Sequence, residues 1–213
     1  MANDMQANIL RHALILFAEQ GYEGVSVRNI ASAAGITLPL IYHYFPDKQA
    51  VYDAAVHDAF AYMTEHMIGA VRPDLLGEGK LRAFLEQLVK LQASGAPEVR
   101  LVDRELMEAR PETMAKLGAD LFQRPHDALA QIIRELAPHA PAQEVAEHVI
   151  AATYGAVKLR AIRVHVKGVE RLAEVPGIVD SLIAFTLAAL RDMDRTDSAP
   201  PKITSPTARP QAS

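Results

Sequence analysis

Apolar residues in this chain recur every three to four positions, and strict alternation bounded by turn signals hardly occurs. The clearest run is Leu81, Phe84, Leu85, Leu88 and Leu91, spaced i, i+3, i+4, i+7 and i+10. A stripe of that kind buries one side of a helix and does not suit a strand. The expected fold is therefore all-α. Glycine and proline divide the pattern into segments. Ile9, Ala13, Leu16 and Phe17, with Ile15 beside them, predict a first helix ending at Gly21. Ser26 caps a short helix over 27–34 that faces inward with Val27, Ile30, Ala31 and Ala34, and Gly35 closes it. Thr37 caps another through about Tyr44, with Ile41, Tyr44 and Phe45 inward. Pro39 sits in its first turn, where a missing N–H has no partner to lose. Longer helices are expected at 47–70, 80–94 and 97–109. Pro111 starts another, which Pro125 is expected to kink or split. The last two are expected at 142–166 and from Pro176 to about Met193. The segment 195–213 has four prolines and no apolar period, and reads as a disordered tail.

Composition narrows the class. Half of the 213 residues are apolar and 23% are charged, enough for a globular core without disulfide or metal. The absence of cysteine excludes a disulfide scaffold, a thiol nucleophile and thiolate-bound zinc. The first six residues have neither a basic start nor an apolar core, which predicts no secretory leader. The longest nearly uncharged stretch, 175–190, carries Asp180 and is shorter than the ~20 residues a membrane span needs. A cytoplasmic protein without membrane contact is the expectation. Of eight histidines, His148 stands four residues after Glu144 and His66 eight after Asp58. No two histidines share a helix at ligand spacing with a third ligand nearby, so neither metal nor cofactor is expected. No glycine-rich phosphate loop, G-x-S-x-G or H-E-x-x-H occurs, and an enzyme is not expected.

The segment 21–48 reads GYEGVSVRNIASAAGITLPLIYHYFPDK. With Phe17 ahead of it, it resembles the helix-turn-helix of the TetR family of bacterial transcriptional repressors. The resemblance rests on Ser26-Val27-Arg28-Asn29-Ile30-Ala31, Ala34-Gly35-Ile36-Thr37 and Ile41-Tyr42-His43-Tyr44-Phe45, followed by Asp47-Lys48. It implies a DNA-binding domain at 3–63 with its motif at about 26–45. A helical effector-binding and dimerisation domain would follow at 64–194. It further implies a homodimer that binds an inverted-repeat operator and is released by a small apolar or amphipathic ligand.

The residues support that reading individually. Thr37 can cap its helix and bond a phosphate, and Leu38, Pro39 and Leu40 occupy positions that enter the major groove. Tyr42 and His43 lie on the outward flank, and Lys48 corresponds to the family's phosphate clamp. Ser26 and Arg28 open the preceding helix, whose N-terminus attracts anions. Leu38 also shares a stripe with Ile41 and Phe45 and so reads equally as core. Leu-Pro-Leu departs from the family by offering no hydrogen bond to a base, which shifts specificity to thymine methyls and DNA shape. Residues 1–50 carry three basic and four acidic side chains, a net of −1, where a DNA binder would be basic. That charge, with Leu38-Pro39-Leu40, favours the alternative: an all-α small-molecule binding protein whose helix-turn-helix no longer reads DNA.

For the second domain, methionine and aromatic residues suit an adaptable apolar cavity. Its expected lining is Tyr62, Met63, His66, Phe84, Leu88, Met107, Met114 and Phe122, each of which also reads as plain core. Arg104 and Glu105 join that set, because a half-buried carboxylate needs a partner or a ligand. The last two long helices carry apolar residues on two faces, which predicts a four-helix dimer interface. Its expected contacts are Val149, Ala152, Ala156 and Leu159 with Ile178, Leu182, Phe185 and Ala189.

Overall fold

The computed structural model describes residues 2–108, 110–117, 119–163 and 165–196, without the side chains of 2–3, 117, 119–122 and 194–196. Among the described residues every regular element is a helix. They are α1 (Ala2–Gly24), α2 (Val27–Ala33), α3 (Leu38–Tyr44), α4 (Lys48–Gly69), α5 (Gly77–Ser94) and α6 (Pro97–Glu108). Then come α7 (Pro111–Leu117), α8 (Ala119–Leu136), α9 (Ala142–Lys158), the single-turn α10 (Arg160–Arg163), a 3-10 turn at Glu170–Ala173 and α11 (Val175–Thr196).

Four boundaries differ from the sequence reading. Gly21 does not end α1. It kinks the helix with a left-handed φ of 73°, and helical structure resumes to Gly24. Pro125 lies inside α8 and does not end it. The helix expected over 142–166 stops at Lys158. The last helix continues to Thr196, so 195 and 196 belong to it, and the rest of the expected tail lies outside the described residues.

The first three helices bury Ile9, Phe17, Ile30 and Ile41 against Val51, Tyr52 and Ala55 of α4. Each large apolar side chain enclosed in this way contributes roughly 1.5–3 kcal/mol. Gly35, at φ 68°, makes the tight turn between α2 and α3 that a side chain would strain. Helices α5, α8, α9 and α11 pack together as the second unit, while α6 lies against both α1 and α4. Helix α4 spans about 33 Å at 1.5 Å per residue. It starts beside α3 and ends among α5 and α8, running unbroken past residue 63.

Candidate functional site

Ser26 opens α2 with a reciprocal cap. Its hydroxyl accepts from the Asn29 N–H at 3.1 Å, and Asn29 Oδ1 accepts from the Ser26 N–H at 2.9 Å. The sequence reading named Ser26 but missed Asn29 as its partner; the Ser-x-x-Asn spacing carried that signal. Thr37 is the N-cap of α3, yet its hydroxyl makes no cap bond, unlike the side-chain cap expected from the sequence. Pro39, Tyr42, His43 and Arg28 are exposed, Tyr42 by 50%. Leu40 is half-buried. Leu38, also half-buried, packs partly against the core, so it divides its surface between core and solvent. All nine residues expected at DNA therefore lie on α2, α3 or the start of α4.

Two of the four acidic side chains of residues 1–50 are engaged away from α3. Glu19 faces Arg100 of α6 at 3.8 Å, and Asp47 caps α4 by accepting from the Ala50 N–H at 2.8 Å. Lys48 holds its ammonium 4.1 Å from the Tyr22 ring centroid. Lys48→Ala is expected to weaken duplex binding alike on all sequences. It should flatten the salt dependence by about one unit per half-site. Titrations of anisotropy at several salt concentrations check this, and an unchanged slope removes Lys48 from the phosphate clamp.

Behind that surface lies a buried junction. The Tyr52 hydroxyl donates to Glu105 Oε2 at 2.6 Å, and Glu105 Oε1 accepts from the Arg110 N–H at 3.2 Å. Glu105 is fully buried. Burial, with the bond to Glu105, holds the Tyr52 phenol far above its ordinary range. The Arg110 guanidinium stacks 4.4 Å from the Tyr22 centroid and 4.6 Å from that of Tyr52. Arg104 lies under the kink in α1, where a Cβ on Gly21 would come within 2.9 Å of Nη1. Arg104 and Glu105 are thus not cavity residues as expected. They and Arg110 join α6 and the turn after it to the end of α1 and the start of α4.

A cavity of about 380 Å³ lies between α4, α5, α6, α8 and α9. Helix α4 contributes Phe60, Met63, Thr64 and Met67, a stripe at i, i+3, i+4 and i+7. Leu88, Val102 and Leu106 face them, and Pro125, His126, Glu147, Ile150, Ala151 and Tyr154 close the far side. His126 Nε2 and Glu147 Oε2 are 2.6 Å apart. Burial, with the charge of Asp103 adding to it, pushes the Tyr154 phenol up to about 12.

Of the expected lining, Met63 and Leu88 are present. Phe84 is buried in the core outside the lining, and Met114 is half-buried on α7. Met107 points outward, 87% exposed. Tyr62 lines a separate groove with α1, and His66 stacks on it with centroids 3.9 Å apart. The reason is rotational: positions 62 and 66 stand off the 60-63-64-67 stripe. Phe122 lies outside the described side chains. The second apolar face of α9, with Ile150 and Tyr154, carried the signal for the missed wall. Among the described residues no cluster of three metal-ligating side chains occurs, and no helix is long and apolar enough to cross a membrane.

Residues 9–55 match the family model described as bacterial regulatory proteins, tetR family. Residues 9–55 carry a TetR-family domain. Over 59 residues the chain is 32% identical to the biofilm operon icaADBC HTH-type negative transcriptional regulator IcaR of Staphylococcus aureus (strain Newman). That stretch is 28% of this chain and 32% of the relative, so the likeness spans about a third of the curated relative's length. The whole fold is similar to a TetR-like transcriptional regulator from Rhodococcus sp. RHA1, with TM-score 0.67, 18% identity, and 88% and 96% of the two chains covered. It is also similar to the transcriptional regulator FadR from Bacillus subtilis in complex with stearoyl-CoA, with TM-score 0.68, 17% identity, and 85% and 97% covered.

Helices α9 and α11 present an outward apolar groove. Its floor is Val149 and Leu182, both nearly buried, and its walls include Ala152, Phe185, Thr186 and Ala189. Phe185 is 72% exposed, and Leu159 lies exposed at the end of α9. Ala156 is half-buried. Ile178, expected at the subunit interface, is instead enclosed within the chain, because the first turn of α11 packs inward.

Proposed function

We propose that this chain is a TetR-family transcriptional repressor that binds an inverted-repeat operator as a homodimer and is released by a small apolar or amphipathic molecule. One observation carries the reading: α4 belongs to both sites. Its start, at Lys48, follows α3, and two-thirds of the way along it supplies Phe60, Met63, Thr64 and Met67 to the cavity. A ligand seated against that stripe tilts α4 and changes the separation of the two recognition helices. Successive major grooves on one DNA face lie about 34–36 Å apart, so a shift of a few ångströms prevents simultaneous docking. A hundredfold loss of DNA affinity corresponds to about 2.7 kcal/mol of coupling, and the ligand must then favour the DNA-free form by the same factor. The relative IcaR is a negative regulator, which supports repression. FadR's complex with stearoyl-CoA supports an amphipathic effector.

The test begins with DNA flanking the chain's own gene, searched for a near-palindrome and bound in a gel shift. Leu88→Trp fills the cavity and is expected to abolish ligand release while leaving operator binding nearly intact. If operator DNA leaves a ligand's affinity unchanged, the two sites are uncoupled. The solvent face of α3 before Tyr42 offers only the Thr37 hydroxyl as a hydrogen-bonding side chain, which favours the second reading, a binding protein that does not read DNA. Absence of any specific gel shift would establish that reading instead.

A further inference from the structure

One aromatic ring meets two cations where α1, α4 and α6 come together. The Lys48 ammonium stands 4.1 Å over the Tyr22 centroid, and the Arg110 guanidinium carbon is 4.4 Å from the same point. A cation within about 6 Å of an aromatic face is attracted by the ring quadrupole. The ring itself is fixed. It meets Tyr52 edge-on with centroids 5.0 Å apart and lies nearly parallel to Phe17 at 6.2 Å. Arg110 is held in turn. Its Nε donates to Glu108 Oε2 at 3.0 Å and its backbone N–H to Glu105 Oε1 at 3.2 Å.

Lysine is otherwise a poor choice at this position. Lys48 is the first residue of α4, where the positive end of the helix dipole disfavours an ammonium. Its four-carbon stem also has wide rotamer freedom, which a phosphate contact would have to remove. Tyr22 offsets both effects, because the ring attracts the ammonium and narrows the rotamers of the stem. An ammonium carries three donors, and those turned away from the ring stay available to a phosphate oxygen.

We propose that Tyr22 is a positioning residue for DNA: its ring holds the Lys48 ammonium ready for a backbone phosphate, and Arg110 keeps that ring in place from the α6 side. This rests on the reading of Lys48 as a phosphate contact.

Phosphate contacts ignore sequence, so a short random-sequence duplex, titrated by anisotropy with the full chain, tests the proposal without the operator. Tyr22→Leu is expected to lose about three- to tenfold in affinity, the cost of immobilising one long side chain on binding. Tyr22→Phe keeps the ring and should restore the affinity. In a Lys48→Ala background Tyr22→Leu should cost nothing further. An equal loss there marks a general loosening of the domain and overturns the proposal, as does unchanged or higher affinity of Tyr22→Leu alone. NMR of the Lys48 ε-methylene protons gives a readout without DNA. They should be shifted upfield by the ring current in the parent and in Tyr22→Phe, and not in Tyr22→Leu. A parent that binds the duplex without that shift refutes the positioning alone. A parent that shows the shift but binds no duplex refutes the DNA reading, and the proposal falls with it.

Discussion

Glu105→Ala should lower the melting temperature by about 5–15 °C, the shift expected for a loss of about 2–5 kcal/mol in a chain of this size. The residue is fully enclosed, so its removal strands the Tyr52 hydroxyl and the Arg110 N–H together. Each buried donor left unsatisfied costs about 1–3 kcal/mol, and the emptied space adds to that. Thermal unfolding followed by circular dichroism measures the loss; a shift under about 2 °C shows the junction to be energetically idle. Alkali gives a second readout. The Tyr52 phenol titrates above its ordinary value of 10.0 in the folded state, so its contribution is complete below that value. It drains away as the pH rises beyond it, because the unfolded chain loses the proton first. Tyr52→Phe should therefore blunt the fall in stability above pH 10. The same junction ties α6 to α1 and α4, so Glu105→Ala should also loosen the dependence of operator binding on ligand.

The contrast between Glu105 and the helix-turn-helix shows what a sequence displays. In α2 and α3 the determinants are local: a cap at Ser26, a turn at Gly35 and a stripe of three residues. All of them sit within one turn of the position they control. Glu105 was legible as a carboxylate on an apolar face, and the need for a partner followed. Its partners were not legible, since Tyr52 lies 53 positions away and the Arg110 N–H belongs to a helix-to-helix turn. The cavity failed in the same manner on a smaller scale. Met63 faces it and Tyr62 does not, a difference of about 100° on one helix that composition cannot resolve. Nor could periodicity find Pro125 within α8. A proline tolerated in a long helix differs from a helix-ending one only in its tertiary surroundings.

The other large effect is expected at the opposite end of the molecule, from Phe185→Glu. A phenyl group 72% exposed beside a groove of about 300 Å³, floored by Val149 and Leu182, is unusual for a chain that works alone. In a two-fold pair that face meets its own copy, and the phenyl leaves water on association. Glutamate there sets two carboxylates into the apolar contact, one from each chain, with no lysine or arginine among the described residues that line the groove beside His148. Sedimentation should show monomers at micromolar concentration. Operator affinity should fall by about 10²–10⁴, the factor by which linking two half-site contacts raises avidity. Because Phe185 is exposed in the single chain, the variant should keep its helix content, which separates failed association from misfolding. Phe185→Leu preserves an apolar contact and should remain dimeric. A Phe185→Glu variant that still sediments as a dimer would move the interface away from α9 and α11.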